Sequence, residues 1–331
     1  MASEYKVIGA LLSPFSIKAR SYFRYKGIPH EWIESGPQSP EYQKYFKLPL
    51  IPLVLTPDEQ SIQDSTPIIE KMEDQHPEPS IHPSDEASAF ISALIEEYGD
   101  EWGNKWMFGL RWHREVDQQS AAERIAPSID AKMFKEDPKA LIAAVLQRMP
   151  GRIGFVGANE ITLPLIEQTL HDAAQLVEAH LQSRPYLFGG RPAFADFGLF
   201  AQLHQCWTDP TPGAFLKANT PKLCAWLERM LEPKDEGAFE PWSALEPTLM
   251  PLLTEQIAAN FLPWSEANRK ALEAGEKEFT VDLAVGRWPQ KPQKYHARSL
   301  AAIRAKYAEV KDKAALDPIL EKSGCLTWLK G

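Results

Sequence analysis

The sequence predicts an α/β domain, then an all-α domain, and then a mostly helical C-terminal extension. Three observations predict this fold class. At the start of the chain, short apolar runs rich in β-branched residues alternate with amphipathic helical stripes. The proline-rich segment HPEPSIHPSDE interrupts that pattern, and beyond it apolar residues recur at helical spacing. Because 331 residues exceed one ordinary hydrophobic core, we predict domains at 1–78 and 85–240 and an extension at 241–331.

The first domain is predicted to run in the order strand, helix, strand, helix, two strands, helix. Residues 5–12 form the first strand, and the amphipathic helix that follows ends at Gly27. The later elements are a strand at HEWIES, a short helix at PEYQKYF, a hairpin of PLVLT and SIQ around the turn PDEQ, and a helix at TPIIEKMEDQ with Pro67 at its first position.

The second domain is predicted to contain helices alone. A long helical stripe begins at Phe90 and continues into EWGNKWMFGLRWHRE. Further helices are expected around 138–149, 162–182, 194–207 and 220–231. The segment GRIGFVG lacks the spacing of a phosphate-binding loop, so we interpret it as a flexible connection.

The extension is predicted to be helical, with one strand at EFTVDLAV and a polar-faced helix at KYHARSLAAIRAKYAEVKD. It carries many large apolar side chains, among them Phe261, Trp264, Trp288 and Leu329, which is atypical of a solvated tail. We therefore expect it to pack on the other domains or on a partner subunit, and the cleft between the domains is one place for it.

Composition restricts the partners and the location. The formal net charge of -9 argues against nucleic-acid and anionic-membrane partners, and no apolar run approaches the ~20 residues of a membrane span. The N-terminus lacks the layout of a signal peptide. Cys206, Cys224 and Cys325 form no C-x-x-C pair, and the histidines form no H-E-x-x-H motif. We expect a soluble, cytoplasmic protein with reduced, buried cysteines and no metal.

Three places in the first domain carry candidate site residues. Ser13 follows the first strand and precedes Pro14, which is ordinary helix-start chemistry but also aims a hydroxyl from a helix N-terminus. Pro52 lies at the entrance to an apolar strand, and a cis peptide is one reason for a proline there. Asp64 and Ser65 lie where a strand meets a helix, a position that binds a carboxylate or simply caps the helix.

These motifs together resemble those of the glutathione transferases, over residues 4–235. SPFSIKARSYFRYKGIPHEWIE is most similar to the serine-type members, such as the tau class of plants. IPLV resembles the cis-proline strand entry, QDSTPIIEKMEDQHP the Glu/Asp-Ser motif and its helix, RPAFAD the helix start of the second domain, and TPKLCAWLERMLEP its closing helix. The resemblance implies a thioredoxin-like, glutathione-binding first domain, an electrophile pocket in the helical domain, glutathione as co-substrate, and a homodimer.

The resemblance also implies residue roles. Ser13 would donate a hydrogen bond to the glutathione sulfur, and Phe15 belongs to the same motif. The backbone of Ile51, just before Pro52, would pair with the cysteine of glutathione like an added strand. Asp64 would lie near the γ-glutamyl ammonium and Ser65 near its carboxylate. Trp102, Trp106 and Arg111 would line the electrophile pocket, with core packing as the alternative for these three.

The sequence departs from the family pattern at two positions. Leu50 stands where tau-class members have a lysine, and Lys44 or Lys47 could replace it. Ala193 replaces the Ser or Thr that caps a helix in the second domain, so the capping box with Asp196 lacks one hydroxyl. We predict conjugation of glutathione to a small hydrophobic electrophile. The alternatives are a non-catalytic binding or interaction protein, or a glutathione-dependent ether-cleaving or peroxidase enzyme on the same site.

Overall fold

The computed structural model describes residues 4–36 and 39–330, and it confirms the predicted fold class. An α/β domain comes first, a helical domain follows, and the extension is mostly helical. In the part of the chain that the structure describes, no helix combines the length and the apolar character needed to cross a membrane.

The first domain contains one four-stranded sheet in the order β2-β1-β3-β4. Strand β1 pairs with β2 in parallel and with β3 antiparallel, so Val7 lies opposite both Trp32 and Val54. Strands β3 and β4 form the predicted hairpin. The elements are β1 Tyr5–Gly9, α1 Pro14–Tyr25, β2 His30–Glu34, α2 Pro40–Tyr45, β3 Leu53–Leu55, β4 Ser61–Gln63 and α3 Ser65–Gln75.

Two boundaries of this domain differ from the prediction. Strand β1 ends at Gly9 rather than at residue 12, because the chain turns there and the Ser13 N–H donates to the Ala10 carbonyl at 3.0 Å. Helix α3 begins at Ser65, so Pro67 is its third residue and not its first. Gly27 has a φ of 61° just after α1, the left-handed conformation expected of a glycine that ends a helix.

The helical domain is built around α9, whose first thirteen residues are all buried. It packs against α4 with unusually close backbones, since a Cβ on Gly198 would come within 2.7 Å of the Glu96 carbonyl oxygen. The helices are α4 Glu86–Glu101, α5 Glu115–Ile129, α6 Ala131–Glu136, α7 Pro138–Arg148, α8 Thr162–His180, α9 Phe194–Thr208, α10 Pro210–Asn219 and α11 Pro221–Arg229.

The four predicted helices of this domain are confirmed by α7, α8, α9 and α11. Helices α5 and α10 were not predicted, because α5 contains Pro127 and a mostly polar sequence, and α10 contains Pro210, Pro212 and Gly213. The segment interpreted as a flexible connection is a 3₁₀ helix, Pro150–Val156. A short π-helix, Lys105–Gly109, continues the long helical stripe beyond α4.

The extension contains a hairpin as well as helices. Its elements are α12 Trp242–Pro251, a π-helix Leu252–Phe261, α13 Leu262–Glu273, β5 Phe279–Leu283, β6 Gly286–Gln290, α14 Lys294–Glu309, α15 Lys313–Ser323 and α16 Leu326–Leu329. Strand β5 matches the predicted strand. Strand β6 was missed because Gly286 and Pro289 are typical strand breakers, yet a two-stranded ribbon has only edge strands, where proline is tolerated.

The extension shares a continuous hydrophobic core with the first two domains. Trp264 and Trp288 have no exposed surface, and Leu329 near the end of the chain is 2% exposed. The ring of Trp264 lies 5.7 Å from that of Trp102, the residue that follows α4, and the ring of Trp288 lies 5.1 Å from that of Trp102. The extension therefore covers the outer face of the α4 region with aromatic side chains.

Candidate functional site

Ser13 is the N-cap of α1, and its hydroxyl oxygen accepts a hydrogen bond from the Ser16 N–H at 3.3 Å. Capping uses a lone pair of the hydroxyl and leaves its proton free. The capping role and the thiol-binding role are therefore compatible, because the same hydroxyl can still donate to an anion. Such an anion would also lie at the positive end of the α1 dipole.

Two side chains of the helical domain hold the loop before α1 in place. Gln205 donates through Nε2 to the carbonyl of Leu11 at 2.8 Å, and Arg111 donates through Nη1 to the carbonyl of Leu12 at 3.0 Å. Arg111 is itself fixed by Asp209, with 2.7 Å between Nε and Oδ2. The position of the candidate catalytic hydroxyl thus depends on side chains of α9 and its C-terminal end.

The entrance to β3 leaves backbone groups available for a ligand. The peptide bond between Ile51 and Pro52 is cis. Within the described residues, neither the N–H nor the carbonyl of Ile51 has a hydrogen-bond partner. An extended peptide could therefore pair with Ile51 as an added strand.

Gln63 shapes the loop before this proline, a role that the sequence did not indicate. Its Oε1 accepts from the N–H groups of Lys47 and Leu48 at 2.7 and 3.0 Å, and its Nε2 donates to the carbonyls of Leu48 and Leu50 at 2.7 and 2.9 Å. The Tyr42 hydroxyl lies 2.6 Å from the same two carbonyl oxygens. These contacts fix the approach to the cis proline.

Asp64 and Ser65 lie at the N-terminus of α3, and neither acts as a simple cap. The Asp64 side chain caps no N–H group, and its φ of 75° is a backbone strain that few non-glycine residues carry. Its carboxylate instead accepts from the Tyr295 hydroxyl of the extension at 3.2 Å. The Ser65 hydroxyl is buried and has no partner among the described residues. A buried polar atom without a partner costs free energy unless a ligand satisfies it.

A buried charge network lies directly behind α3. Lys18 on α1 has no exposed surface and donates to Asp100 at 2.6 Å, to Thr66 at 3.0 Å, and to Glu96. Burial opposes the charge of Lys18, but the two carboxylates outweigh it and raise its pKa. Burial raises the pKa of Asp100 to about 7, although Lys18 opposes the shift. The sequence placed Lys18 off the apolar stripe of α1 and did not indicate that it is buried.

The residues predicted to line the electrophile pocket are core residues in this structure. Trp102 and Trp106 have no exposed surface, and both indole N–H groups point to the Thr169 hydroxyl, at 3.4 and 2.9 Å. Arg111 is 2% exposed and is occupied by the loop contacts described above. These positions agree with core packing, the alternative left open for the three residues, because side chains of the extension pack over the indoles.

The ammonium group of Lys105 is buried among the indoles of this region. Its ammonium lies 3.5 Å from the centre of the Trp264 ring and 5.5 Å from the rings of Trp102 and Trp288. It donates to the Val156 carbonyl at 3.1 Å. Burial lowers the pKa of Lys105 well below its usual range, against the opposing charge of a nearby glutamate. The indoles therefore enclose a lysine of the same chain.

Apolar side chains remain exposed on the loops beside Ser13 and the cis proline. Leu11, Leu48 and Leu50 are each about half exposed, and Phe46 is 41% exposed. Lys44 and Lys47 lie on the same stretch and are both exposed, so the structure does not choose between them as the replacement for the missing lysine. The described residues contain no group of three or more His, Cys, Asp or Glu arranged to hold a metal ion.

Helix α9 keeps half of its expected capping box. Ala193 offers no hydroxyl, but the Asp196 carboxylate accepts from the N–H groups of Ala193 and Leu187, each at 2.9 Å. It also accepts from the Trp226 indole at 2.9 Å. Burial raises the pKa of Asp196 to about 7 in spite of these donors.

Two family models of known domains match the chain. The model described as glutathione S-transferase, N-terminal domain, matches residues 7–80, and that described as glutathione S-transferase, C-terminal domain, matches residues 139–229. No curated protein matches the sequence.

Solved structures are similar at low identity. The beta-etherase LigF from Sphingobium sp. strain SYK-6 is 20% identical, with 70% of this chain and 95% of LigF covered and a TM-score of 0.51. The tau class glutathione S-transferase MiGSTU from mango, Mangifera indica L., is 20% identical. The match covers 70% of this chain and 89% of MiGSTU, with a TM-score of 0.44. FzlA from C. crescentus is 17% identical. The match covers 69% of this chain and 90% of FzlA, with a TM-score of 0.45. The likeness to LigF shows the fold alone.

Proposed function

The chain belongs to the glutathione S-transferase family, and on that premise we propose that it binds glutathione across the N-termini of α1 and α3 and adds the thiolate to a hydrophobic electrophile. The observation that carries this proposal is the Ser65 hydroxyl, which is buried at the start of α3 and has no partner in the described part of the chain. Such an atom fits a carboxylate ligand, and the free N–H groups of the first turn favour the same charge.

The peptide backbone of glutathione would lie along the entrance to β3. The unpaired backbone groups of Ile51 support this placement, because a cysteine residue of a ligand could exchange hydrogen bonds with them. The γ-glutamyl end would then reach Asp64 and Ser65 at α3. The exposed Lys44 and Lys47 are both candidates for the glycine carboxylate.

Ser13 would activate the thiol. A free thiol has a pKa near ~8.5, so little of it is thiolate at neutral pH. The free hydroxyl proton of Ser13 and the positive end of α1 would both stabilise the anion and lower the pKa of the bound thiol. The sulfur would then attack the electrophile and form a carbon–sulfur bond. In a substitution, the bond to the leaving group breaks and its electron pair departs with that group; in an addition, the electron pair of the multiple bond takes up a proton.

The electrophile would meet the sulfur at the exposed apolar side chains of the adjacent loops, since the indoles of the helical domain are covered. Leu11 lies two residues before Ser13, and Leu50 lies two residues before Pro52. These side chains support a hydrophobic substrate and indicate no particular chemical group. We further propose a homodimer in the cytoplasm.

Calorimetry with glutathione tests the site. We expect Asp64→Ala to weaken glutathione binding about tenfold or more, because a charged hydrogen-bond partner is lost. The matched control is Asp74→Ala, at an exposed position near the other end of α3. Equal affinity for the wild type and Asp64→Ala would contradict the site.

A conjugation assay with a chlorodinitrobenzene separates catalysis from binding. Binding with turnover supports the transferase. If the protein binds glutathione but turns over neither the chlorodinitrobenzene nor ether and peroxide substrates, the non-catalytic alternative is favoured.

A further inference from the structure

We propose that α14 of the extension completes the glutathione site, with Arg298 binding the α-carboxylate of the γ-glutamyl group; this inference rests on the proposed function. The two family models match residues that end before the extension, so they assign nothing to α14. The extension would thereby act in substrate recognition as well as in packing.

A cavity of about 300 Å³ lies between the start of α3, the end of α4 and the first half of α14. Asp64 and Thr66, on either side of Ser65, line it, and so do Asp100 and Arg298. The cavity is therefore next to the N-terminal end of α3, where the γ-glutamyl end of glutathione is proposed to bind.

Helix α14 is fixed against both neighbouring helices. Lys306 pairs with Glu70 on α3 at 2.6 Å, and His296 pairs with Glu101 on α4. The Ser299 hydroxyl donates to Glu97 on α4, and the Tyr295 hydroxyl contributes the contact to Asp64 described above. The carboxylates that line the cavity are thus largely matched by donors from α14.

Two side chains of the cavity keep polar atoms without a partner within the described residues. Among the described residues, the guanidinium of the exposed Arg298 has no hydrogen-bond or ion-pair partner. The Asp100 side chain is 10% exposed, and its Oδ1 has no partner, because Lys18 and Thr66 use Oδ2. Within the described residues, a guanidinium without a partner and one free oxygen of a buried carboxylate thus line the same cavity, although the other oxygen of Asp100 is paired with Lys18.

A ligand with a carboxylate and an ammonium on neighbouring atoms matches this arrangement. The γ-glutamyl group of glutathione has both on its α-carbon. Its carboxylate would bind Arg298 and the Ser65 hydroxyl, since a guanidinium binds carboxylates in a two-pronged geometry. Its ammonium would bind Asp64 and the free oxygen of Asp100. A metal ion fits less well, because the described residues hold no group of three suitable ligands.

The test is calorimetry with two peptides, glutathione and γ-aminobutyryl-cysteinyl-glycine, which lacks only the α-carboxylate. We expect Arg298→Ala to bind glutathione about tenfold or more weakly than the wild type does. Both proteins should bind the shortened peptide equally. Arg298→Glu should lose more affinity for glutathione, because it replaces attraction with repulsion.

The matched control is Arg287→Ala, at an exposed position on β6. Thermal melting should show that all variants remain folded, since Arg298 has no partner to lose. If the wild type and Arg298→Ala bind glutathione equally, the inference is overturned and the proposed function stands. If the wild type binds no glutathione, both fail.

Discussion

Arg111 and Asp209 form a buried ion pair, with 2.7 Å between Nε and Oδ2, although they lie 98 positions apart in the sequence. The same guanidinium donates to the Leu12 carbonyl, one residue before the candidate catalytic serine. The pair therefore connects the packing of the helical domain to the placement of a hydroxyl in the first domain. The sequence predicts that Arg111 lines a substrate pocket; in the structure, its guanidinium holds the backbone just before Ser13.

Arg111→Ala should lower the free energy of unfolding by about 3–5 kcal/mol, because it leaves the Asp209 carboxylate buried with only the half-exposed Arg124 as a partner. Urea unfolding followed by circular dichroism measures the change. The control is Arg114→Ala, which breaks a partly exposed pair with Glu167 and should cost about 1 kcal/mol or less. Equal effects of the two substitutions would contradict a special role for the buried pair.

Ser13→Ala should reduce turnover by about ten- to a hundredfold while glutathione binding stays nearly unchanged, because the lost hydrogen bond goes to the charged thiolate. Ultraviolet titration of the bound thiol should show a higher pKa in the variant. Ser16→Ala is the control, since that hydroxyl is buried on α1 without a partner. Full activity in Ser13→Ala together with loss in Ser16→Ala would transfer the role to Ser16.

Truncation after Glu240 should give an insoluble or strongly destabilised protein, because it uncovers the indoles of Trp102 and Trp106. The single substitution Trp264→Ala should by itself cost about 3–5 kcal/mol in unfolding free energy. Trp328→Ala, at a partly buried position of the same extension, should cost less. A soluble truncated protein as stable as the full chain would refute the packing, and a destabilised one with unchanged substrate range would refute a covering role at the site.

Acid should destabilise the protein through His180. Burial lowers the pKa of His180 to about 4, and its Nε2 donates to the Leu187 carbonyl at 2.8 Å. An unfolded histidine has a pKa near ~6.5, so the unfolded chain binds more protons between these values. The stabilisation is complete above about pH 6.5 and is lost, by about 3 kcal/mol, as the pH falls through about 4.

The measurement for His180 is urea unfolding at several pH values. His180→Gln should be less stable than the wild type at pH 7, and the difference should shrink toward pH 4. His113→Gln, at an exposed position, should keep the wild-type profile. A constant difference between the wild type and His180→Gln across the range would show that the histidine is not the acid-sensitive group.

The protein should be a homodimer in solution. The family resemblance predicts this, and symmetric dimers are the commonest oligomers. Light scattering at micromolar concentration measures the mass directly, and a mass near the 37.3 kDa of one chain would contradict the prediction.

The first domain could be predicted almost completely because its signals are local. Ser13 before Pro14 begins a helix, Gly27 ends it, and Pro52 marks the cis bond, and each depends on residues a few positions apart. The strand β6 and the helices α5 and α10 contain prolines or glycines whose effect depends on the neighbouring elements. Local propensity is a weak guide at such places.

The site was predicted less completely because several of its contacts join distant residues. In the sequence, Lys18 looks like a surface charge and Arg111 like a pocket or core residue. The burial of the two side chains depends on carboxylates 78 and 98 positions away. In the sequence, the indoles of Trp102 and Trp106 suit both a pocket and a core. Only the placement of Trp264 and Trp288 decides between the two, and no pattern in the sequence specifies it.

The late position of the extension in the sequence affects the order in which the chain can fold during translation. Tyr98 contacts Gln256, 158 positions later, and Glu101 contacts His296, 195 positions later. While the ribosome is still adding those residues, the indoles of Trp102 and Trp106 have already emerged and the extension that covers them has not yet been made. The nascent chain must therefore pass through a stage with an exposed aromatic surface, and such contacts between distant residues also slow folding.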